Sequence, residues 1–159
     1  MPLRPRIALL AALAATAAGP LSALTIRQVS TRDYSEEALT TISEIASGCE
    51  STGSRTYLRT DPAQKAGRYF IVDLDEAVSE LPTGCSLLLE IIRGSDGLTE
   101  PLALPFSAAT GSMGRALFVG LTDEAHSAET ILAWRLTVRD ATGREHAEAH
   151  SFLWEMPAE

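Results

Sequence analysis

The segment TILAWRLTVRDATGREHAEAHSFLWE, residues 130–155, is the part of the sequence that best indicates the fold. Its first ten residues alternate, and the even positions carry large apolar side chains: Leu132, Trp134, Leu136 and Val138. Alternation with a period of two is typical of a β-strand with one buried face. Asp, Thr and Gly follow at residues 140–143 and favour a turn. The segment therefore predicts an antiparallel hairpin.

A four-residue turn over Asp140–Gly143 sets the register of this hairpin by placing Arg139 opposite Arg144. Solvent screens the repulsion between these two arginines at the mouth of the turn. Further along, the register pairs large residues with small ones and opposite charges with each other: Trp134 with Ala149, Leu136 with Ala147, and Arg135 with Glu148. Leu132, Trp134, Leu136 and Val138 are then predicted to face the core.

The same register leaves Ile131, Phe152 and Trp154 on the outer face of the hairpin, beside Arg135. Large apolar groups left in water need an explanation. Three explanations are open. A β-bulge near Ser151 could turn the strand end inward, the N-terminal segment could cover these side chains, or the side chains could form a surface for a partner. The candidate interaction surface consists of Ile131, Arg135, Phe152 and Trp154, with His146 and Glu148 on the same face.

Upstream of the hairpin, short apolar, β-branched or aromatic runs recur between clusters of Gly, Pro, Asp and Thr. This pattern predicts strands rather than long helices. The predicted strands are Arg68–Leu74, Cys85–Arg93, Pro101–Ser107, Arg115–Leu121, Thr130–Arg139 and Glu145–Glu155. Seven or eight short strands in all predict an all-β, two-sheet antiparallel sandwich, which would form a single domain over residues 24–159.

Residues 24–60, the N-terminal arm, fit two local structures. Ala38, Leu39, Ile42 and Ile45 have the spacing of an amphipathic helix. Alternatively, Leu39–Ile45 and Arg55–Arg59 form the two arms of a hairpin. Thr40, Thr41 and Ile42 favour strands and the neighbouring segments are strands, so the hairpin is the preferred prediction.

The first 23 residues have the three parts of a secretory signal peptide. Arg4 and Arg6 give a positive start, Ile7–Gly19 is apolar, and small residues follow, with cleavage expected after Ala23 or after Gly19. The apolar run has 13 residues, whereas a permanent membrane span needs about 20. We therefore expect an exported protein, periplasmic or extracellular, with no membrane insertion after cleavage.

The formal net charge is −8, and it becomes −10 when Arg4 and Arg6 leave with the signal peptide. Nucleic acids and anionic membranes need basic patches on the proteins that bind them. The charge thus argues against both as partners but does not itself name one, since acidity on an exported domain is most often a solubility feature. Another exported protein is the partner we allow for.

Two cysteines, Cys49 and Cys85, lie 36 residues apart. An even number of cysteines in an exported chain favours a structural disulfide, whereas a redox pair is normally close in sequence. We expect these two to be bridged.

Together, the number of strands, a Trp at the centre of a strand (Trp134) and the Cys49–Cys85 pair resemble an immunoglobulin-like or fibronectin type III-like module. In immunoglobulin domains the Trp lies between the two cysteines, whereas here it follows both. The resemblance implies an architecture only, because no family motif covers the chain.

One arrangement offers metal chemistry. His146, Glu148 and His150 share one face of the last predicted strand, at successive spacings of about 7 Å. The two histidines are too far apart to bind one ion from a flat strand, so a metal would need one His, Glu148 and a ligand from elsewhere, such as His126. The main expectation is a binding or structural module with no catalytic residues and no cofactor; a metal protein or enzyme using His146, Glu148 and His150 is the alternative.

Overall fold

A computed structural model describes residues 24–94, 97–106, 114–123 and 130–155. These residues form two four-stranded sheets with little helix, as the sequence predicts. The strands are β1 (Ile26–Tyr34), β2 (Thr56–Arg59), β3 (Gly67–Leu74), β4 (Ser86–Arg93), β5 (Thr99–Pro105), β6 (Ala116–Leu121), β7 (Ile131–Arg139) and β8 (Glu145–His150). Two short helices, α1 (Glu36–Leu39) and α2 (Ile42–Ser47), lie between β1 and β2, and 3₁₀ turns cover Val78–Glu80 and Phe152–Glu155.

Sheet A has the strand order β1-β3-β6-β2, and sheet B has the order β5-β4-β7-β8. The expectation of purely antiparallel pairing is wrong at one place, since β2 runs parallel to β6. The core between the sheets comes from alternate residues of the four central strands. These include Phe70, Val72, Leu87, Leu89, Leu117, Val119, Leu136 and Val138.

The hairpin expected within residues 35–60 is not formed, although its second arm is a strand. Thr41 begins α2 instead: its hydroxyl accepts from the backbone N–H of Glu44 (3.3 Å), and the Glu44 carboxylate accepts from the backbone N–H of Thr41 (3.5 Å). This reciprocal capping box supplies partners for N–H groups at the helix start. Within the arm Leu39–Ile45, α1 therefore ends at Leu39 and α2 begins at Ile42, whereas Thr56–Arg59 pairs with β6.

The helices cover part of the outer face of sheet A, where a second apolar cluster lies. Leu39, Tyr69 and Phe118 are buried there, and Tyr34 and Tyr57 pack against them. Tyr69 of β3 lies opposite Gly120 of β6. A Cβ atom added to Gly120 would stand 2.5 Å from a Tyr69 ring carbon, so this close packing requires glycine.

The prediction for the last hairpin is right in that two strands pair, but it is wrong in their register. Leu136 lies opposite Ala149, and Val138 lies opposite Ala147, which is a shift of two residues. A bulge at the start of β8 places Arg139 opposite Glu145, and their side chains form an ion pair at 2.7 Å. This arrangement replaces the repulsive Arg139–Arg144 pair with an attractive one.

A second bulge lies in β7, opposite Ile92 and Arg93 of β4, and it changes which residues of β7 face the core. Ile131 packs against the core, whereas Leu132 is 48% exposed. The prediction that Leu132 faces inward is therefore wrong, because one residue outside the register reverses the alternation at the strand end.

Strand β5 is the free edge of sheet B, and two prolines occupy it. The N–H of Phe106, just after β5, donates to the carbonyl of Cys85, just before β4 (3.1 Å). N–H groups alternate sides along a strand, so Pro101 and Pro105 stand where an N–H would point away from β4. The edge thus lacks donors at these two positions.

None of the helices in the described ranges has the length and the hydrophobicity of a membrane span.

Replacing Gly120 with Ala should destabilise the fold by about 1–3 kcal/mol, because the added methyl must displace the Tyr69 ring or its own strand. Urea unfolding measures this loss. Gly94→Ala is the matched control, since its added Cβ would meet its nearest neighbour at 3.6 Å, an ordinary contact. Equal stability of the Gly120→Ala variant and the wild type would contradict the packing described.

Candidate functional site

The end of β8 is tied firmly to β7, and the chain then leaves the sheet. The Ser151 N–H donates to the Trp134 carbonyl (2.9 Å), and the Trp134 N–H donates to the Ser151 hydroxyl (3.0 Å). The Trp154 N–H donates to the Ser151 carbonyl (3.0 Å) and closes the 3₁₀ turn Phe152–Glu155. The strand predicted to continue to Glu155 therefore ends at His150.

This turn holds Phe152 in solvent, where its side chain is 82% exposed. Leu153, like Leu132, is 48% exposed. Leu132 and Ser151 line one cavity of about 230 Å³, so the exposed end of β7 lies beside the start of the turn. The apolar side chains here are held by a hydrogen-bonded backbone.

Trp154 of the same turn packs against Arg135. The guanidinium lies 5.0 Å from the centroid of the indole ring, within range of a cation–π contact. The Arg135 Nε also donates to the Glu90 carboxylate (2.7 Å), and this interaction raises the pKa of Arg135. Arg135 was predicted to pair with Glu148, but it lies opposite His150 and binds Glu90 on the neighbouring strand.

The structure thus brings together three of the four residues proposed from the sequence: Arg135, Phe152 and Trp154. Ile131 does not belong with them, because the bulge in β7 turns it into the core. Leu153 belongs to the same turn as Phe152 and Trp154 and is exposed, and sequence reasoning missed it. Leu132 lines its cavity together with Ile131 and the core residue Phe70. We define the C-terminal apolar surface as Arg135, Phe152, Leu153 and Trp154.

His146, Glu148 and His150 do not share a face. His146 is the extra residue of the bulge in β8, and its Nε2 lies 2.9 Å from Asp140 Oδ2. Glu148 is exposed opposite Thr137, and His150 Nε2 lies 3.3 Å from the Glu155 carboxylate. Across the described ranges, no group of three or more His, Cys, Asp or Glu side chains is placed to hold a metal ion.

His146 lines a cavity of about 150 Å³ together with Cys85 and Val138. Burial raises the pKa of the Cys85 thiol, and the nearby Asp140 carboxylate adds to this effect. Such a thiol is a poor nucleophile, since the thiolate is the reactive form.

The expected disulfide between Cys49 and Cys85 is not formed, and both cysteines are free. Cys49 is exposed just after α2, whereas Cys85 is buried in the core between the sheets, just before β4. The helical structure of residues 42–47, which the hairpin prediction did not include, accounts for this placement.

A polar region that sequence reasoning missed lies at the edge strand β2. Arg55, Tyr57 and Arg59 alternate along it, and Arg59 reaches Glu50 at 2.7 Å. The spacing Arg-x-Tyr-x-Arg was visible in the sequence as three residues that a strand would place on one face. The predicted signal peptide, residues 1–23, lies outside the described residues, as does His126.

Comparisons with protein-family models, with curated proteins and with solved structures found no match for this chain.

The turn between β7 and β8 should make stability depend on acid pH. Hydrogen bonds from the Thr142 hydroxyl, from His146 and from backbone N–H groups hold the pKa of Asp140 well below its usual range. A carboxyl with a depressed folded-state pKa stabilises the fold above its unfolded pKa of about 3.9, and this contribution disappears as the pH falls further.

We expect the melting temperature of the wild type to fall more steeply below about pH 4 than that of Asp140→Asn. Thermal unfolding followed by circular dichroism between pH 2 and pH 7 measures the difference. Glu37→Gln, at the exposed start of α1, controls for the loss of one negative charge. Parallel curves for Asp140→Asn and wild type would refute the role given to this turn.

Proposed function

We propose that this chain is an exported binding module that uses the C-terminal apolar surface to bind another exported protein, without catalysis. The 82% exposure of Phe152 on a turn fixed by backbone hydrogen bonds is the observation that carries the proposal. Exposed aromatic and aliphatic side chains held in one place act as anchors in protein interfaces, because little conformational entropy is lost when they are covered.

The composition of the surface also favours a protein partner. Trp, Phe and Arg are the residue types enriched at the centres of interfaces. Arg135 is already neutralised by Glu90 and stacked on Trp154, so the partner need not supply a counter-charge for it. We therefore expect an apolar pocket on the partner that accepts Phe152.

An immunoglobulin-like or fibronectin type III-like architecture is part of the proposal. Without β2, the strand orders are β1-β3-β6 and β5-β4-β7-β8. In chain order these correspond to strands A-B-E and C′-C-F-G of an immunoglobulin domain. On this assignment, α1, α2 and β2 form an insertion between the first two strands. Domains of this kind commonly work through their surfaces, although a fold does not by itself define a function.

Export to the periplasm or the extracellular space is likewise a proposal, supported by the leader pattern of residues 1–23. The alternative of a metal protein or enzyme has less support than the binding module. It required His146, Glu148 and His150 to act together, whereas the His146 ring is hydrogen-bonded to the Asp140 carboxylate.

The test places a photo-reactive phenylalanine analogue at position 152 of the full chain, expressed in the cells that naturally make it. Illumination should yield one adduct of defined mass with another exported protein. Position 98 is the matched control, because Leu98 is also an exposed apolar residue (69%) and lies between β4 and β5.

The adduct at position 152 should weaken when Arg135→Ala removes the contact that orients Trp154. Circular dichroism establishes that this variant is folded. Adducts of equal yield from positions 152 and 98, or an adduct whose mass equals two copies of this chain, would contradict the proposal.

A further inference from the structure

A polar cleft lies at strand β2 and extends around the edge of the sandwich to β5, far along the chain from the C-terminal apolar surface. Two adjoining cavities, of about 370 and 390 Å³, meet at Thr52 and Tyr57, which line both of them. Each is within the size range of small-molecule sites, about 300–1,000 Å³. Most residues lining the first cavity carry hydroxyl groups: Thr41, Ser43, Ser51, Thr52, Ser54 and Tyr57.

Arg55 is the cation of this first cavity. Its guanidinium lies 5.3 Å from the centroid of the Phe118 ring, and its Nη1 donates to the Tyr57 hydroxyl (3.4 Å). These two contacts fix the side chain although it is exposed. None of the described carboxylates forms an ion pair with Arg55, so no described residue neutralises its charge.

Arg59 forms the boundary with the second cavity and behaves differently. Its side chain is only 6% exposed, and it donates to Glu50 (2.7 Å) and to the Tyr69 hydroxyl (3.0 Å). It also lies 4.8 Å from the centroid of the Tyr57 ring. Glu50 and Arg59 neutralise each other, and Arg55 leaves the described lining with a net positive charge. The whole chain carries −8.

We propose that this cleft binds a small, hydroxylated oxyanion, such as a sugar acid or a sugar phosphate. A guanidinium held in one place recognises carboxylate or phosphate oxygens through two parallel hydrogen bonds. Serine and threonine hydroxyls both donate and accept, which matches the hydroxyl groups of a sugar. The apolar walls at Leu58, Pro62 and Leu104 in the second cavity suit the carbon face of such a ligand.

This site is independent of the proposed function. Its residues belong to β2, to the start of α2, to the turns on either side of β2 and to the end of β5, whereas the C-terminal apolar surface lies on β7 and the 3₁₀ turn. A variant in the cleft should therefore leave the crosslink at position 152 unchanged. Failure of one proposal is thus distinguishable from failure of the other.

The test follows amide and Arg Nε signals by NMR while glucuronate, glucose 1-phosphate and uncharged glucose are titrated into the mature chain. We expect saturable shifts at residues 51–57 and at the Arg55 Nε with one or both of the anions, weaker at high salt, and much smaller shifts with glucose. Comparison of the two anions shows whether a carboxylate or a phosphate is preferred.

Arg55→Ala should weaken binding of the anion about tenfold or more, because the charge-assisted hydrogen bonds are lost. Arg55→Lys keeps the charge without the planar fork and should bind with intermediate affinity. Arg144→Ala is the matched control, since it removes an exposed arginine from the other sheet. The proposal is overturned if neither anion produces saturable shifts, or if Arg55→Ala binds as well as the wild type.

Discussion

The Tyr69 side chain holds together the apolar cluster on the outer face of sheet A. Its ring lies directly on Gly120 of the neighbouring strand, and its hydroxyl donates to the Lys65 carbonyl (2.7 Å) while accepting from Arg59. Burial raises the pKa of this phenol, which therefore remains a hydrogen-bond donor. Tyr34 and Tyr57 meet the ring edge-on. One residue thus connects β1, β2, β3, β6 and the loop at Lys65, and so supports the cleft around Arg55.

The sandwich itself was predictable because alternation, turn residues and strand length all agree for most of the chain. The N-terminal arm was harder, since β-branched residues at 40–42 suggested a strand. The capping box between Thr41 and Glu44 was the decisive local signal for the helix, and it was overlooked. Strand β1 was missed because only parts of its burial pattern alternate, and it is a partly exposed edge strand.

Two bulges account for most of what the sequence did not reveal about the candidate site. Each adds one residue to a strand, and one residue is enough to exchange the buried and exposed faces. The bulge in β7 packs a partly buried Ile131 against the core and exposes Leu132, whereas the bulge in β8 turns His146 towards Asp140. Bulge positions depend on tertiary packing and on turn geometry, and residue periodicity does not contain that information. The exposure of Phe152, in contrast, was one of the alternatives considered.

The two prolines of β5 affect how copies of this protein behave when they are crowded together. A free strand edge with regularly spaced donors can serve as a template on which another chain assembles. Pro101 and Pro105 interrupt that row of donors, so a neighbouring copy has no continuous backbone to extend at this edge. The carbonyl groups and the few remaining N–H groups there cannot form a regular ladder with another strand. The edge is therefore a poor template for amyloid-like growth.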